Sequence, residues 1–183
     1  MVSEGRGKTD YLLVADYSAS DSDFCFLDDN GTEYNLQDDT PATRRNGDFS
    51  SASLLGKWSR RSEKNGRFYI QENLYWKHQG IPGISNNQSK HTRMNTFRSL
   101  TEVGVLIPDW LARFSVRQTL FFSHQLEAFA DPFGEVGVGR QDSRYCTRSY
   151  GWRSRLQTVL GKGHPATLGV SIRRQTFLRD RSR

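Results

Sequence analysis

The chain has 183 residues, 35% of them hydrophobic and 12% aromatic, with a mean hydropathy of -0.72, which excludes a multidomain enzyme and leaves a small core at most. Lys and Arg number 26 against 20 Asp and Glu, a net charge of +6, and the balance favours an acidic partner. Abundant large rings with few aliphatics describe a chain that completes its packing on a partner, not a solvated disordered one.

Charge is unevenly spread. Residues 10–43 hold carboxylates and no Lys or Arg, whereas residues 140–183 are strongly basic. With a polar N-terminus and only Cys25 and Cys146, far apart, the expectation is two free thiols in a reducing compartment. The longest apolar runs, Tyr11 to Ala15 and Leu120 to Phe122, fall short of the ~18 residues of a spanning helix, so a soluble or peripheral protein without a membrane is expected.

In chain order, Tyr11 to Tyr17 predicts a strand. Phe24 to Leu27 and Thr32 to Leu36, around Asn30-Gly31, predict a β-hairpin. Residues 37–53 are polar and read as a linker; Phe68 to Ile70 suits a short strand, and residues 79–99 a long surface loop or an extended arm. Pro108 and Asp109 suit a helix start, and the spacing of Ile107, Trp110, Leu111, Phe114, Phe121, Phe122, Leu126 and Phe129 predicts one helix over about 108–130. The fold class expected is a mostly irregular, extended chain with few short helices, an N-terminal β-hairpin and a small α+β core at most. The organisation expected is an acidic arm with hairpin and linker (1–47), an aromatic-rich binding segment with the helix (48–152) and a basic tail (153–183).

Signals of catalysis are weak. His78, His91, His124 and His164 lack metal-site spacing, no nucleophile, base and orienter can be matched, and Gly161-Lys162-Gly163-His164-Pro165-Ala166 fits a phosphate-binding turn only formally. No catalytic residue, cofactor or metal is expected.

Two segments carry a resemblance: Ser53-Leu54-Leu55-Gly56-Lys57-Trp58-Ser59-Arg60-Arg61, and Asp142-Ser143-Arg144-Tyr145-Cys146-Thr147-Arg148-Ser149-Tyr150, with Asn73-Leu74-Tyr75-Trp76 between them. They resemble elements of small cilia- and flagella-associated proteins of the lumen of axonemal doublet microtubules, although Lys57 stands where that family has Asn and Ser59-Arg60-Arg61 where it has acids. The resemblance implies a structural, non-enzymatic protein of the ciliary or flagellar axoneme, binding the α/β-tubulin lattice and neighbouring microtubule inner proteins. Trp58, Tyr75, Trp76, Arg144, Tyr145, Arg148 and Tyr150 are then the expected tubulin contacts. The alternative is a basic RNA-associated protein, such as a lineage-specific ribosomal component, whose arginines meet nucleic-acid phosphates.

Overall fold

A computed structural model describes residues 2–32, 34–84, 87–111, 113–161 and 163–181. Strands hold 74% of the chain, and among the described residues there is no helix. The strands are β1 (Val2–Arg6), β2 (Thr9–Ser20), β3 (Cys25–Asp28), β4 (Thr40–Thr43), β5 (Phe49–Arg61), β6 (Arg67–Gly80), β7 (Gly83–Ile84), β8 (Asn87–Gln88), β9 (Arg93–Trp110), β10 (Phe114–Asp131), β11 (Gln141–Leu160) and β12 (His164–Arg181). Eight of them form one antiparallel sheet in the order β1-β2-β5-β6-β9-β10-β11-β12, so each strand pairs with the next long one in the chain.

The expected irregular chain with an α+β core is therefore overturned. The segment expected as a helix over 108–130 is the end of β9, a turn and most of β10. Its apolar residues answer to a period of two as well as to one of 3.6: Phe114, Val116, Leu120, Phe122 and Leu126 lie on one side of a pleat, and Phe121 and Phe129 on the other. What decides between the periods is tertiary: the strand pairs on both edges, with β9 and with β11.

Other expectations shift in the same direction. The strand expected over Tyr11–Tyr17 falls within β2, and Phe68–Ile70 is part of the longer β6. The linker over 37–53 contains β4 and the start of β5, and the loop over 79–99 contains β7, β8 and the start of β9. Asn30 and Gly31 do turn, at φ of 50° and 75°, yet β3 pairs with β4 and not with Thr32–Leu36; Glu33 of that segment lies outside the described residues. Asn65-Gly66 is the Asn-Gly pair that closes a hairpin of the main sheet: Asn65 has φ 57°, and the Ser62 N–H donates to the Gly66 carbonyl at 2.7 Å.

Connections alternate in length. At one end of the sheet the turns are short, at 7–8, 62–66, 111–113 and 161–163; at the other end the loops are long, at 21–48, 81–92 and 132–140. No hydrophobic side chain is fully buried among the described residues, so one uncovered sheet provides no core. Cys25 and Cys146 are both free thiols.

Candidate functional site: the two faces of the sheet

Directly paired residues share a face of a sheet, so the register sorts every strand residue to one side. On the first face one hydrogen-bonded row runs Tyr11, Trp58, Ile70, Val103, Leu120, Trp152, Ile172 without a polar member. A second row runs Tyr17, Ala52, Trp76, Phe97, Leu126, Cys146, Leu178. On the opposite face polar residues predominate. One is Asp10, Ser59, Tyr69, Gly104, Thr119, Arg153, Ser171; its neighbour contains Arg61, Arg67, Leu106, Arg117, Arg155 and Gly169.

Curvature follows from which side chains reach past a neighbouring strand. The Tyr69 hydroxyl is 3.0 Å from Thr119 Oγ1 across β9, Arg67 Nη2 donates to Asp10 Oδ2 at 2.7 Å across β5, and Arg153 pairs with Glu102 across β10. All three lie on the polar face. Among described strand residues, hydrogen bonds on the apolar face join only adjacent strands, as where Trp152 Nε1 donates to Gln118 Oε1 at 2.8 Å. The polar face is thus concave and the apolar face convex. Glycines assist the crowding on the concave side. The Tyr69 ring lies over Gly104 and the Phe121 ring over Gly151, in space that a Cβ would occupy.

Exposure agrees with that curvature and inverts the polarity of a water-soluble fold. The buried strand hydroxyls Ser59, Thr96, Thr119, Ser143 and Ser149 are all concave. On the convex face Ile172 is 63% exposed, Leu120 59%, Leu168 65% and Tyr17 69%. Exposed large hydrophobics of the main sheet face the convex side, with Val159 and Phe177 as exceptions.

The convex apolar band starts beside the short turns, and its far border keeps a nearly constant distance from them. Tyr17, Trp76, Phe122 and Tyr150 border it, each about ten residues from the turn of its hairpin, the length of a strand that crosses a hydrocarbon layer. Because the turns step across the sheet, the band runs obliquely to the rows. On the row Ala15, Leu54, Leu74, Ser99, His124, Arg148, Thr176, the first three residues are apolar and the rest polar. Arg148 and Arg174 therefore lie past the band on β11 and β12, followed by a smaller patch of Leu126, Cys146 and Leu178. Glu72 is the charge within the band, and Ser99 Oγ and Thr101 Oγ1 donate to its carboxylate at 2.7 and 2.5 Å.

At the long-loop end two carboxylates clasp the loops to the sheet. Asp131 is fully buried and accepts from the N–H groups of Glu135, Val136 and Gly137 at 2.8, 2.9 and 3.3 Å and from the Thr92 hydroxyl at 3.2 Å. Burial pushes its pKa up, but these donors outweigh burial and hold it below the ordinary carboxylate value. Glu135 accepts from the N–H groups of Lys90 and His91 at 2.9 and 2.8 Å, and its pKa falls to about 2, chiefly through the His91 N–H. The acids are structural, and no group of three or more His, Cys, Asp or Glu suited to a metal occurs among the described residues.

The residues expected to contact tubulin divide between the faces. Trp58, Trp76, Arg144, Arg148 and Tyr150 are convex, whereas Tyr75 and Tyr145 are concave, where Arg98 and Arg179 lie over their rings. Lys162 of the formal phosphate-turn motif lies outside the described residues. Sequence reasoning missed the concave arginines Arg117, Arg153 and Arg155. A period-two scan would have found them: Leu168, Val170 and Ile172 alternate with Thr167, Gly169 and Ser171, and the same alternation places Arg153 and Arg155 opposite Trp152 and Leu156. No protein-family model matches the chain, and no curated protein matches it.

Proposed function

We propose that this chain forms part of the wall of a membrane-spanning β-barrel, with the convex face against lipid and the concave face lining an aqueous lumen. One observation carries the reading: the face that curves outward is apolar and exposed, and the face that curves inward is polar. In water an apolar patch of this extent is a liability, whereas in a bilayer it is the condition for insertion. Antiparallel pairing between sequential strands, short turns at one end, long loops at the other and an aromatic border to the band all support it.

Among the described residues no helix is long and apolar enough to cross a membrane, but a strand needs only about ten residues for the same crossing. The expectation of a protein without a membrane came from helix arithmetic alone. The doublet-microtubule reading is a rival proposal that rests on the short motifs around Trp58 and Tyr145. The geometry favours the barrel, because a single tubulin surface would reach Trp58, Trp76 and Tyr150 but not Tyr75 and Tyr145 on the other face.

Tryptophan quenching tests the proposal. Trp58, Trp76 and Trp152 are convex, so the full chain folded into vesicles whose acyl chains carry bromine should lose a large part of its emission. The same chain should not co-sediment with microtubules. Folding to the β-rich state in plain buffer, with emission unchanged by brominated vesicles, would refute the barrel.

A further inference from the structure

We propose that the concave face holds an oxyanion between Arg117 and Arg155, a site for a small solute bearing a phosphate or carboxylate group. The inference rests on the lumen reading in one respect, that the concave face is open to water.

The two arginines are direct cross-strand partners on β10 and β11. Such partners have Cβ atoms about 4.5–5.5 Å apart, and like charges there repel. The acids of the neighbouring rows are engaged elsewhere. Asp10 takes Arg61 and Arg67, and Glu102 takes Arg153, whose guanidinium also lies 5.0 Å from the centre of the Phe121 ring. Among the described residues neither Arg117 nor Arg155 has an acidic partner within 4.0 Å, and both side chains are exposed to the concave side.

They border a recess of about 330 Å³ whose wall also includes Tyr69, Thr119, Ser171 and the Glu102–Arg153 ion pair, in which the one carboxylate of the wall is already neutralised. Gly169 lies directly opposite Arg155 and gives the recess a floor without a side chain. Two guanidinium groups and three hydroxyl groups on one recess suit an oxyanion, since each guanidinium fork can donate two parallel N–H bonds to a carboxylate or phosphate. An anion seated there relieves the repulsion of the pair. In an aqueous lumen such a cluster favours passage or capture of anions over cations.

Calorimetric titration of the full chain, folded in detergent micelles, with inorganic phosphate and separately with acetate over a chloride background tests the site. The expected result is saturable binding of at least one of them, weakened about tenfold or more by Arg117→Gln and by Arg155→Gln, partly kept by Arg155→Lys, and unchanged by Arg148→Gln on the convex face. Tighter binding of phosphate assigns phosphorylated solutes, and tighter binding of acetate assigns carboxylates. Absence of binding to either anion, equal binding in the glutamine variants, or an equal loss in Arg148→Gln overturns the proposal. Circular dichroism of each variant excludes loss of fold as the cause, and should a glutamine variant not fold, the lysine variant of the same position is read instead. Brominated-lipid quenching of the same samples separates the two readings: quenching without anion binding refutes this site alone, and anion binding without quenching refutes the membrane wall alone.

Discussion

Among the described residues Glu135 has the most displaced ionisation, and its chief cause is the backbone. The carboxylate sits where the N–H groups of Lys90 and His91 converge, with His91 Nδ1 3.0 Å from its other oxygen, and its pKa of about 2 lies well below the ordinary 4.5. A carboxyl whose folded value is depressed stabilises its contacts fully above the unfolded value and loses that contribution as pH falls through the folded one. The tie between the 81–92 and 132–140 loops should therefore be constant from neutral pH down to about 4.5 and weaken between there and about 2. Amide exchange at Lys90 and His91, corrected for intrinsic rates, reads it directly. Protection that fails near pH 6, or that persists unchanged in Glu135→Gln, would disprove the assignment. None of this was legible in the sequence: Asp131 and Glu135 flank a Pro-Phe-Gly turn, and only the loop conformation brings three N–H groups to one and two to the other.

At the scale of the element, β10 explains both what the sequence disclosed and what it concealed. Turn chemistry was readable wherever it depends on adjacent residues, as at Asn30-Gly31, because positive φ is a local preference. Strand identity was not readable in the same way. Phe121 and Phe129 place rings on the concave face beside the convex series Leu120, Phe122 and Leu126, so the apolar pattern satisfies two periods at once. A strand in a membrane wall adds to the ambiguity, since a crossing of about ten residues alternates lipid-facing apolar with lumen-facing polar side chains and never forms a long apolar run. The two faces of β10 nevertheless predict opposite tolerance. Leu120→Arg should cost about 2–4 kcal/mol of folding stability in vesicles, as a charge set against hydrocarbon does. Ser123→Arg, on the concave face, should stay within about 1 kcal/mol. Denaturant titration of both variants in vesicles measures the difference, and equal costs would mean that β10 has no lipid-facing side.

For the molecule as a whole, the oblique course of the apolar band makes a claim about how the sheet stands in a bilayer. Hydrogen-bonded rows run perpendicular to the strands, so in an upright sheet every member of a row would lie at one depth. In barrels the strands tilt by about 35–45°, and members of one row then fall at different depths. Ala15 on β2 and Thr176 on β12 belong to the same row, linked through Leu54, Leu74, Ser99, His124 and Arg148. Ala15 lies closer to its short turn at 7–8 than Thr176 does to the turn at 161–163, and the apolar band includes the first and excludes the second. Leu168 lies on another row but sits near its turn, as Ala15 does. Single fluorophores on Ala15→Cys, Thr176→Cys and Leu168→Cys, with Cys25 and Cys146 replaced by serine, report depth through quenching by nitroxides fixed along the acyl chain. The expected order places Ala15 and Leu168 both within the hydrocarbon and Thr176 outside it. Equal depths for Ala15 and Thr176 would mean that the rows lie flat in the membrane; the polar residues from Ser99 to Thr176 would then face lipid directly, and a tilted barrel wall could not be the arrangement this chain adopts.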